Sequence, residues 1–205
     1  MDFDIIVNSL KKAWGDFTSN AVALIVGILI AIIGSILIVT IAPLFYGLYY
    51  MIIKAARGEK VEIKDVFYGF QSFSVFIRSW IYWLVYFVVA IVIGIITSLL
   101  VSISPVLSII GTLLTFIWGL IALYSIYVYI MTPSENAIYA YKEGFNIFKE
   151  NLLMTLVVYI VYYILVVIGA ILLIVGLLVT VPIALIFIAN VLKTIKPGLK
   201  DGSNA

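Results

Sequence analysis

Three tyrosines, Tyr159, Tyr162 and Tyr163, are the side chains in this sequence best suited to contact a ligand. They lie deep in the last long uncharged stretch of the chain, too far from either end for an aromatic belt at a membrane surface. A buried phenol requires a hydrogen-bond partner. The hydroxyl-bearing residues that could supply one are Thr40, Ser125 and Thr155. The tyrosines therefore predict either a polar patch that faces a ligand or ordinary core packing.

A second candidate surface is a row of small residues, Gly111, Thr115 and Gly119, spaced four apart. Lipid supplies no hydrophobic drive between apolar helices, so such helices associate closely through small side chains. The same row could line a narrow pathway. Thr115 and Gly119 are therefore candidate pathway residues, with helix packing as the alternative.

The sequence lacks the residues on which most enzyme mechanisms depend. The chain has no histidine and no cysteine, which removes imidazole bases, thiol nucleophiles and the usual ligands of zinc and iron. Its long apolar stretches contain no paired carboxylates for acid and base catalysis, and no phosphate-binding Walker loop is present. We expect a protein that is not an enzyme and binds no cofactor and no metal.

Composition identifies the protein class. Of the 205 residues, 65% are hydrophobic and 11% are charged, and the mean hydropathy is +1.28. A soluble domain is about half apolar and a quarter charged, so this chain is an integral membrane protein. The net charge of +2 gives no indication of a nucleic-acid partner.

Three stretches, 17–53, 79–134 and 151–192, contain no charged residue. Because a helix needs about 20 apolar residues to cross a bilayer, the second and third stretches each predict two spans. The first, at 37 residues, fits either a tight helical pair or one long kinked helix. We favour six spans over five.

All 22 charged residues, twelve basic and ten acidic, lie in four segments outside these stretches. If every stretch is a helical hairpin, the four segments share one side of the membrane, and retention of Lys and Arg makes that side cytoplasmic. We expect a multi-pass protein of the cell membrane with both termini in the cytoplasm. The cations expected to contact anionic lipid headgroups are Lys54, Arg57, Lys60, Arg78 and Lys193.

A short pattern recurs before each uncharged stretch, at 13–17, 69–73 and 144–148: a small residue, an aromatic residue, two variable residues and Phe. Two explanations fit this pattern. One is duplication of an ancestral unit, and the other is chance combined with the preference of aromatic residues for the membrane interface. The first and third copies also share downstream matches, namely Asn20 with Asn151, Pro43 with Pro182, and Lys54 with Lys193. We favour duplication, with repeat units of about 1–57, 58–131 and 132–196 in a single membrane domain, and a flexible tail at 197–205.

The predicted fold is an all-α transmembrane bundle of six helices arranged as three hairpins. The apolar spacing around each copy of the pattern predicts a cytoplasmic amphipathic elbow helix before each hairpin. Each elbow helix is expected to lie in the headgroup layer. Alternatively, it docks a partner or closes the cytoplasmic end of the bundle.

Local signals predict several helix ends. Thr132, Pro133 and Glu135 form a capping-box pattern that predicts the start of the third elbow helix. Ser104-Pro105 predicts the start of the fourth span, Gly58 the end of the second and Pro197-Gly198 the end of the sixth.

Four short motifs carry a resemblance to a known group: Arg57-Gly58-Glu59-Lys60, the run from Asp65 to Phe70, Gly144-Phe145, and the run from Gly176 to Pro182. In these the chain resembles uncharacterised prokaryotic six-span membrane proteins related to the membrane domain of glycerophosphodiester phosphodiesterases. The resemblance implies six helices with cytoplasmic elbow helices. It transfers no catalytic residue, because the soluble domain that carries that enzyme's catalysis has no counterpart here.

Two functions fit these features. The first is a transport or export component that carries a hydrophobic or weakly polar solute without coupling to charges inside the membrane. The second is a non-catalytic scaffold or accessory subunit that organises lipid or a partner. Expected partners are membrane lipids, a second copy of the chain or another membrane protein. A cavity between the hairpins favours transport, whereas a filled core with an exposed face of small residues favours the scaffold.

Overall fold

The computed structural model describes residues 3–199, apart from the side chain of Ile174. Within these residues the chain forms helices and no strands, which confirms the all-α prediction. The tail prediction at 197–205 falls mostly outside the described residues. The α-helices are α1 (Phe3–Gly34), α2 (Ile38–Ala56), α3 (Phe73–Ile103), α4 (Ser108–Met131), α5 (Ala137–Glu150), α6 (Leu152–Ile171) and α7 (Leu173–Ile195). Two 3₁₀ helices span Ile63–Phe70 and Pro105–Leu107.

Six of the described helices are long and apolar enough to cross a membrane: α1, α2, α3, α4 with the 3₁₀ turn before it, α6 and α7. The first uncharged stretch is therefore two helices rather than one kinked helix. Residues 35–37 form the turn between α1 and α2. Thr40 supports this turn, since its hydroxyl donates to the Leu37 carbonyl at 2.6 Å. Six apolar helices of this length agree with an integral membrane protein.

Three of the predicted helix ends are confirmed. Gly58 follows α2 with a φ of +75°, a left-handed conformation that glycine adopts without strain. Ser104 precedes the 3₁₀ turn that begins at Pro105, and α7 ends at Ile195, two residues before Pro197.

The predicted capping box before the third elbow helix is wrong. Helix α5 begins at Ala137, and its N-cap is Asn136, whose side-chain oxygen accepts from the Tyr139 amide at 2.9 Å. The Thr132 hydroxyl is already used, because it donates to the Val128 carbonyl at the end of α4, at 2.7 Å. Asn is among the strongest N-cap residues, so the helix starts one turn later than the Thr-Pro pattern indicates.

The three amphipathic stretches form three different structures. The first is continuous with α1, the second is the 3₁₀ helix Ile63–Phe70, and the third is the separate helix α5. The first amphipathic stretch therefore leads directly into its span, and its location in the headgroup layer stays a prediction. The buried stripe of α1, which includes Ala13, Phe17, Asn20 and Leu24, runs through this region at helical spacing without a proline to end the helix.

The 3₁₀ helix Ile63–Phe70 lies in backbone contact with α2. A Cβ atom added to Gly47 would overlap the Val66 carbonyl, and one added to Gly69 would overlap the Pro43 carbonyl. The two glycines therefore allow the chain between α2 and α3 to pack along α2 at a distance that no other residue type permits.

Pro43 lies inside α2, where it lacks the N–H that would pair with the Val39 carbonyl four residues earlier. Trp80 of α3 supplies that hydrogen bond, since its indole N–H donates to the Val39 oxygen at 3.2 Å. The Val39 carbonyl, which Pro43 leaves without a partner in α2, thus joins α2 to Trp80 of α3.

Polar contacts connect all four charged segments to one another. They are Lys12 Nζ to the Ala56 carbonyl at 2.8 Å, Asn190 Nδ2 to Asp16 at 3.1 Å, Lys196 to Glu143 at 2.7 Å, and Arg78 to the Glu135 carbonyl. The hydrogen bond from Lys196 lowers the pKa of Glu143 below its usual value and raises the pKa of Lys196. The charged ends of α1, α2, α3, α5 and α7 therefore meet.

The tightly packed core lies next to these charged segments. It includes α2 from Ala42, α4 from Leu120 and α7 from Ile183. The remaining lengths of the helices carry large apolar side chains that are exposed. In the most apolar 18-residue window of α7, 72% of the residues are buried, against 0% in that of α3. The most apolar part of α3 thus contains no buried residue, as expected of a lipid-facing helix.

Candidate functional site

A cavity of about 270 Å³ lies among α2, α3, α4 and α6. We call it the tyrosine cavity. It is bounded by Tyr49 of α2, by Tyr82, Trp83 and Tyr86 of α3, by Gly119, Ala122, Leu123 and Ile126 of α4, and by Tyr159 and Tyr162 of α6. The α4 residues recur at the spacing of one helical face, so α4 forms a smooth wall of small and aliphatic side chains opposite the aromatic residues.

Three of the five predicted pathway residues line this cavity: Gly119, Tyr159 and Tyr162. Gly119 has open space at its Cβ position, and it keeps the cavity wide on the α4 side. Gly119 and the two tyrosines thus border the same cavity.

The other two predicted pathway residues lie elsewhere. Tyr163 is 58% exposed, because one residue along an α-helix turns the side chain about 100° away from Tyr162. Thr115 is also exposed, and its hydroxyl donates to the Gly111 carbonyl of its own helix at 3.0 Å. Gly111 packs against Thr97 of α3, so this part of the small-residue row is a helix contact.

The predicted hydroxyl partners have separate roles. Ser125 pairs with Tyr82 at 2.9 Å, and Thr40 supports the turn between α1 and α2. Thr155 is fully buried on α6, one turn before Tyr159, and its hydroxyl lies near that of Tyr124, which does not line the cavity. Only Ser125 therefore bonds to a tyrosine that lines the cavity.

Stacked aromatic rings support the cavity wall from behind. The Tyr82 ring stacks on Tyr141 of α5 at 5.0 Å, and Tyr141 stacks on Trp118 of α4 at 4.9 Å. The Tyr141 hydroxyl donates to the Tyr82 carbonyl at 3.3 Å. Burial raises the pKa of Tyr141 far above its usual value, so this phenol stays neutral. Helix α5 thereby holds Tyr82 in place against the cavity.

Sequence reasoning did not associate Tyr49, Trp83 and Tyr86 with this site. The spacing of Tyr82, Trp83 and Tyr86 places them near one face of α3, which was the available signal for the two α3 residues. Which helix that face meets is set by packing between distant parts of the chain, which local spacing does not encode.

No residue that lines the tyrosine cavity is charged. Within the described chain there is also no cluster of three or more His, Cys, Asp or Glu side chains that could hold a metal ion. The lining therefore offers aromatic faces, aliphatic surface and phenol hydroxyls. Such a surface can bind and orient a neutral molecule.

The cations predicted to meet lipid headgroups have different surroundings. Two are ion-paired, Lys54 with Asp65 at 2.8 Å and Arg57 with Glu59 at 3.9 Å. Lys193 is half-buried in the last turn of α7. Lys60 is exposed, and it borders a surface groove of about 500 Å³ between α1 and the residues before the first 3₁₀ helix.

Arg78, the fifth predicted cation, joins α3 to the end of α4. Its Nη2 atom donates to the carbonyls of Tyr129 at 2.6 Å and Thr132 at 2.9 Å, and its Nη1 atom donates to the Glu135 carbonyl. Its Nε atom donates to the Tyr46 hydroxyl at 3.3 Å. The guanidinium also lies 3.8 Å from the centre of the Tyr129 ring, a favourable cation–π distance. Most of its hydrogen-bonding capacity is therefore used within the protein.

Comparison with protein-family models, with curated proteins and with solved structures finds no match to this chain.

Proposed function

We propose that the protein is a membrane-embedded transport or export component that binds a hydrophobic or weakly polar solute in the tyrosine cavity. The observation that carries the proposal is the cavity itself, because its wall combines helices from all three predicted hairpins. Its uncharged lining supports movement of the solute without coupling to buried charges. Ion-coupled transporters keep ionisable groups within their spans, and the cavity offers none.

The membrane orientation is part of the proposal. We propose three helical hairpins, with all charged segments and both termini on the cytoplasmic side of the cell membrane. The contacts among the four charged segments support this arrangement, and so do the contacts between α1 and α2, between α3 and α4, and between α6 and α7. Lys and Arg in these segments favour the cytoplasmic side.

A non-catalytic scaffold is the second candidate function. Helix α3 favours it, because the most apolar part of this helix has no buried residue, and the Cβ position of Gly94 meets open space. An exposed small residue on an apolar helix is a common contact point for another membrane helix. A second copy of the chain or another membrane protein could pack there.

We also retain as a proposal the relation to the membrane domain of glycerophosphodiester phosphodiesterases. It rests on the four short motifs and on the six helices that the resemblance implies. Since no catalytic residue transfers with it, the proposal is of a protein that is not an enzyme.

Single cysteines provide a direct test, because the natural chain has none. We would introduce Gly119→Cys and Tyr162→Cys in the cavity, with Gly94→Cys and Tyr163→Cys as controls on exposed helix surface. In membrane vesicles the cavity cysteines should react with a small water-soluble thiol reagent, whereas the lipid-facing controls should not, since the reactive thiolate forms in water. If neither cavity cysteine reacts from either side of the membrane, the pathway is contradicted.

Transport itself is tested by the release of an uncharged fluorescent solute from vesicles containing the purified protein. We expect release to be faster than from vesicles without protein, and slower after Gly119→Leu fills the cavity. Equal release with and without protein would contradict transport and favour the scaffold.

A further inference from the structure

We infer that the solute of the tyrosine cavity is a flat, uncharged molecule of about two fused rings that carries an oxygen acceptor. This inference rests on the proposed function and names the class of ligand for the same site. Three properties of the cavity carry it: the shape of its walls, its size, and the phenol hydroxyls in its lining.

The walls favour a flat ligand. Six of the ten lining residues are aromatic, and neighbouring rings among them differ in orientation. Trp83 and Tyr86 meet edge to face, with ring centres 5.7 Å apart and planes at 76°. Aromatic rings prefer offset-stacked and edge-to-face partners. A planar ligand can make both kinds of contact here, whereas a bulky saturated ligand loses them.

The size of the cavity limits the number of rings. An apolar cavity of about 150 Å³ holds benzene, and the tyrosine cavity is about 270 Å³. A molecule of about two fused rings therefore fits. Gly119 maintains this volume, because any larger side chain there would project into open space that the ligand needs.

The hydroxyls favour an oxygen acceptor. The Tyr82 hydroxyl is paired with Ser125, and the half-buried Tyr49 and Tyr162 bring two further phenols to the cavity lining. A phenol hydroxyl can donate a hydrogen bond to a ligand oxygen. A ligand carbonyl between these phenols would accept such a hydrogen bond.

The absence of charge in the lining excludes ionic ligands. A carboxylate or an ammonium group would lose its hydration on entering the cavity and would find no counter-ion among the lining residues. The ligand is therefore neutral, and a long apolar tail on it would be compatible with the exposed apolar side chains of α3 and α6.

Binding can be measured with menadione, a neutral two-ring quinone, because Trp83 in the wall should be quenched when the ring enters. The chain has no cysteine, so the quinone has no thiol to alkylate. With protein in detergent micelles, we expect saturable quenching by menadione, weaker binding of naphthalene, which lacks an acceptor, and no binding of naphthoate, which is charged. Decalin, a saturated two-ring molecule, should not compete. If decalin displaces menadione as well as unlabelled menadione does, the inference is overturned.

Two matched pairs of variants locate the binding. Tyr162→Phe keeps the ring and removes a hydroxyl in the cavity, whereas Tyr163→Phe makes the same change at an exposed neighbour. We expect menadione affinity to fall about fivefold in the first variant, as for the loss of one hydrogen bond, and to stay unchanged in the second. Naphthalene should bind both alike. If Tyr162→Phe does not fold, Tyr49→Phe carries the same expectation.

Gly119→Leu should abolish saturable quenching, whereas Gly94→Leu, at a glycine that also has open space but lies outside the cavity, should preserve it. Retained binding in Gly119→Leu would overturn the inference. The experiments distinguish a wrong ligand class from a wrong function. Menadione binding without solute release contradicts transport alone, and release that is equally fast for saturated and ring-bearing solutes contradicts the ligand class alone.

Discussion

Arg78 shows how one charged residue near the start of a span can have a structural role. The sequence predicts that it contacts lipid headgroups, because it is the last residue of a charged segment. In the structure its guanidinium donates to three backbone carbonyls and a phenol hydroxyl. The planar fork of arginine presents several donors in fixed directions, which suits the carbonyls at the end of α4 that have no partner within that helix. Arg78 thereby closes the end of α4 and attaches it to α3.

Replacement of Arg78 by lysine tests this role at the scale of a single residue. Arg78→Lys keeps the positive charge but cannot reach several carbonyls at once, so at least two of them lose their donor. We expect the free energy of unfolding in micelles to fall by about 2 kcal/mol or more. Lys60→Gln, which removes an exposed cation, should change it by less than about 0.5 kcal/mol. Unchanged stability in Arg78→Lys would contradict the structural role.

The candidate site was predictable only in part at this scale. Tyr159 and Tyr162 were identified because their depth in an apolar stretch is unusual for a phenol, and Gly119 because of its place in a small-residue row. The same reasoning also selected Tyr163 and Thr115, which face outward. Depth and spacing indicate which residues share a helix face, but the neighbour of that face depends on contacts between distant segments.

The connection between α2 and α3 is the least predictable element. Its apolar spacing predicted an amphipathic helix in the headgroup layer, and the structure instead has a 3₁₀ helix packed on α2. The close contact depends on two glycines, Gly47 and Gly69, one on each side, which have no side chain to separate the two backbones. Helix ends marked by Gly58 and Pro105 followed the sequence, because these residues restrict the backbone directly.

Substitution of Gly47 tests the importance of this contact. The added methyl group of Gly47→Ala would overlap the Val66 carbonyl, and the backbone cannot move aside as a flexible side chain could. We expect the free energy of unfolding to fall by about 1 to 3 kcal/mol, as in other overpacked sites. Gly94→Ala, where nothing lies near the new methyl group, should instead be neutral or slightly stabilising, because alanine favours helix over glycine. If both variants behave alike, the close contact does not hold the 3₁₀ helix in place.

At the scale of the whole molecule, the separation of charge from apolar surface determines the architecture. The charged segments contact one another at one end of the core, and the helix lengths beyond it carry exposed apolar side chains. The charge-free stretches predicted two spans each in the second and third stretch, whereas the first allowed one span or two. The packing of α5 against α4 and the position of the tyrosine cavity were not predictable, because both depend on how the three helix pairs meet.

The arrangement of the spans gives the last prediction, which concerns the two sides of the membrane. If α1 and α2 cross in opposite directions, cysteines at Lys11, Lys60 and Lys142 lie on one side, and cysteines at Ile36 and Val106 lie on the other. Ile36 and Val106 are 79% and 71% exposed in the turns before α2 and α4. A membrane-impermeant maleimide should therefore label the three lysine positions only in inside-out vesicles and the two turn positions only in intact cells, because cations are retained in the cytoplasm. Labelling of Ile36→Cys from the same side as Lys11→Cys would contradict the first hairpin. Labelling of all five positions from the reverse sides would keep the hairpins and overturn the orientation, so the same set of variants tests the two parts of the topology separately.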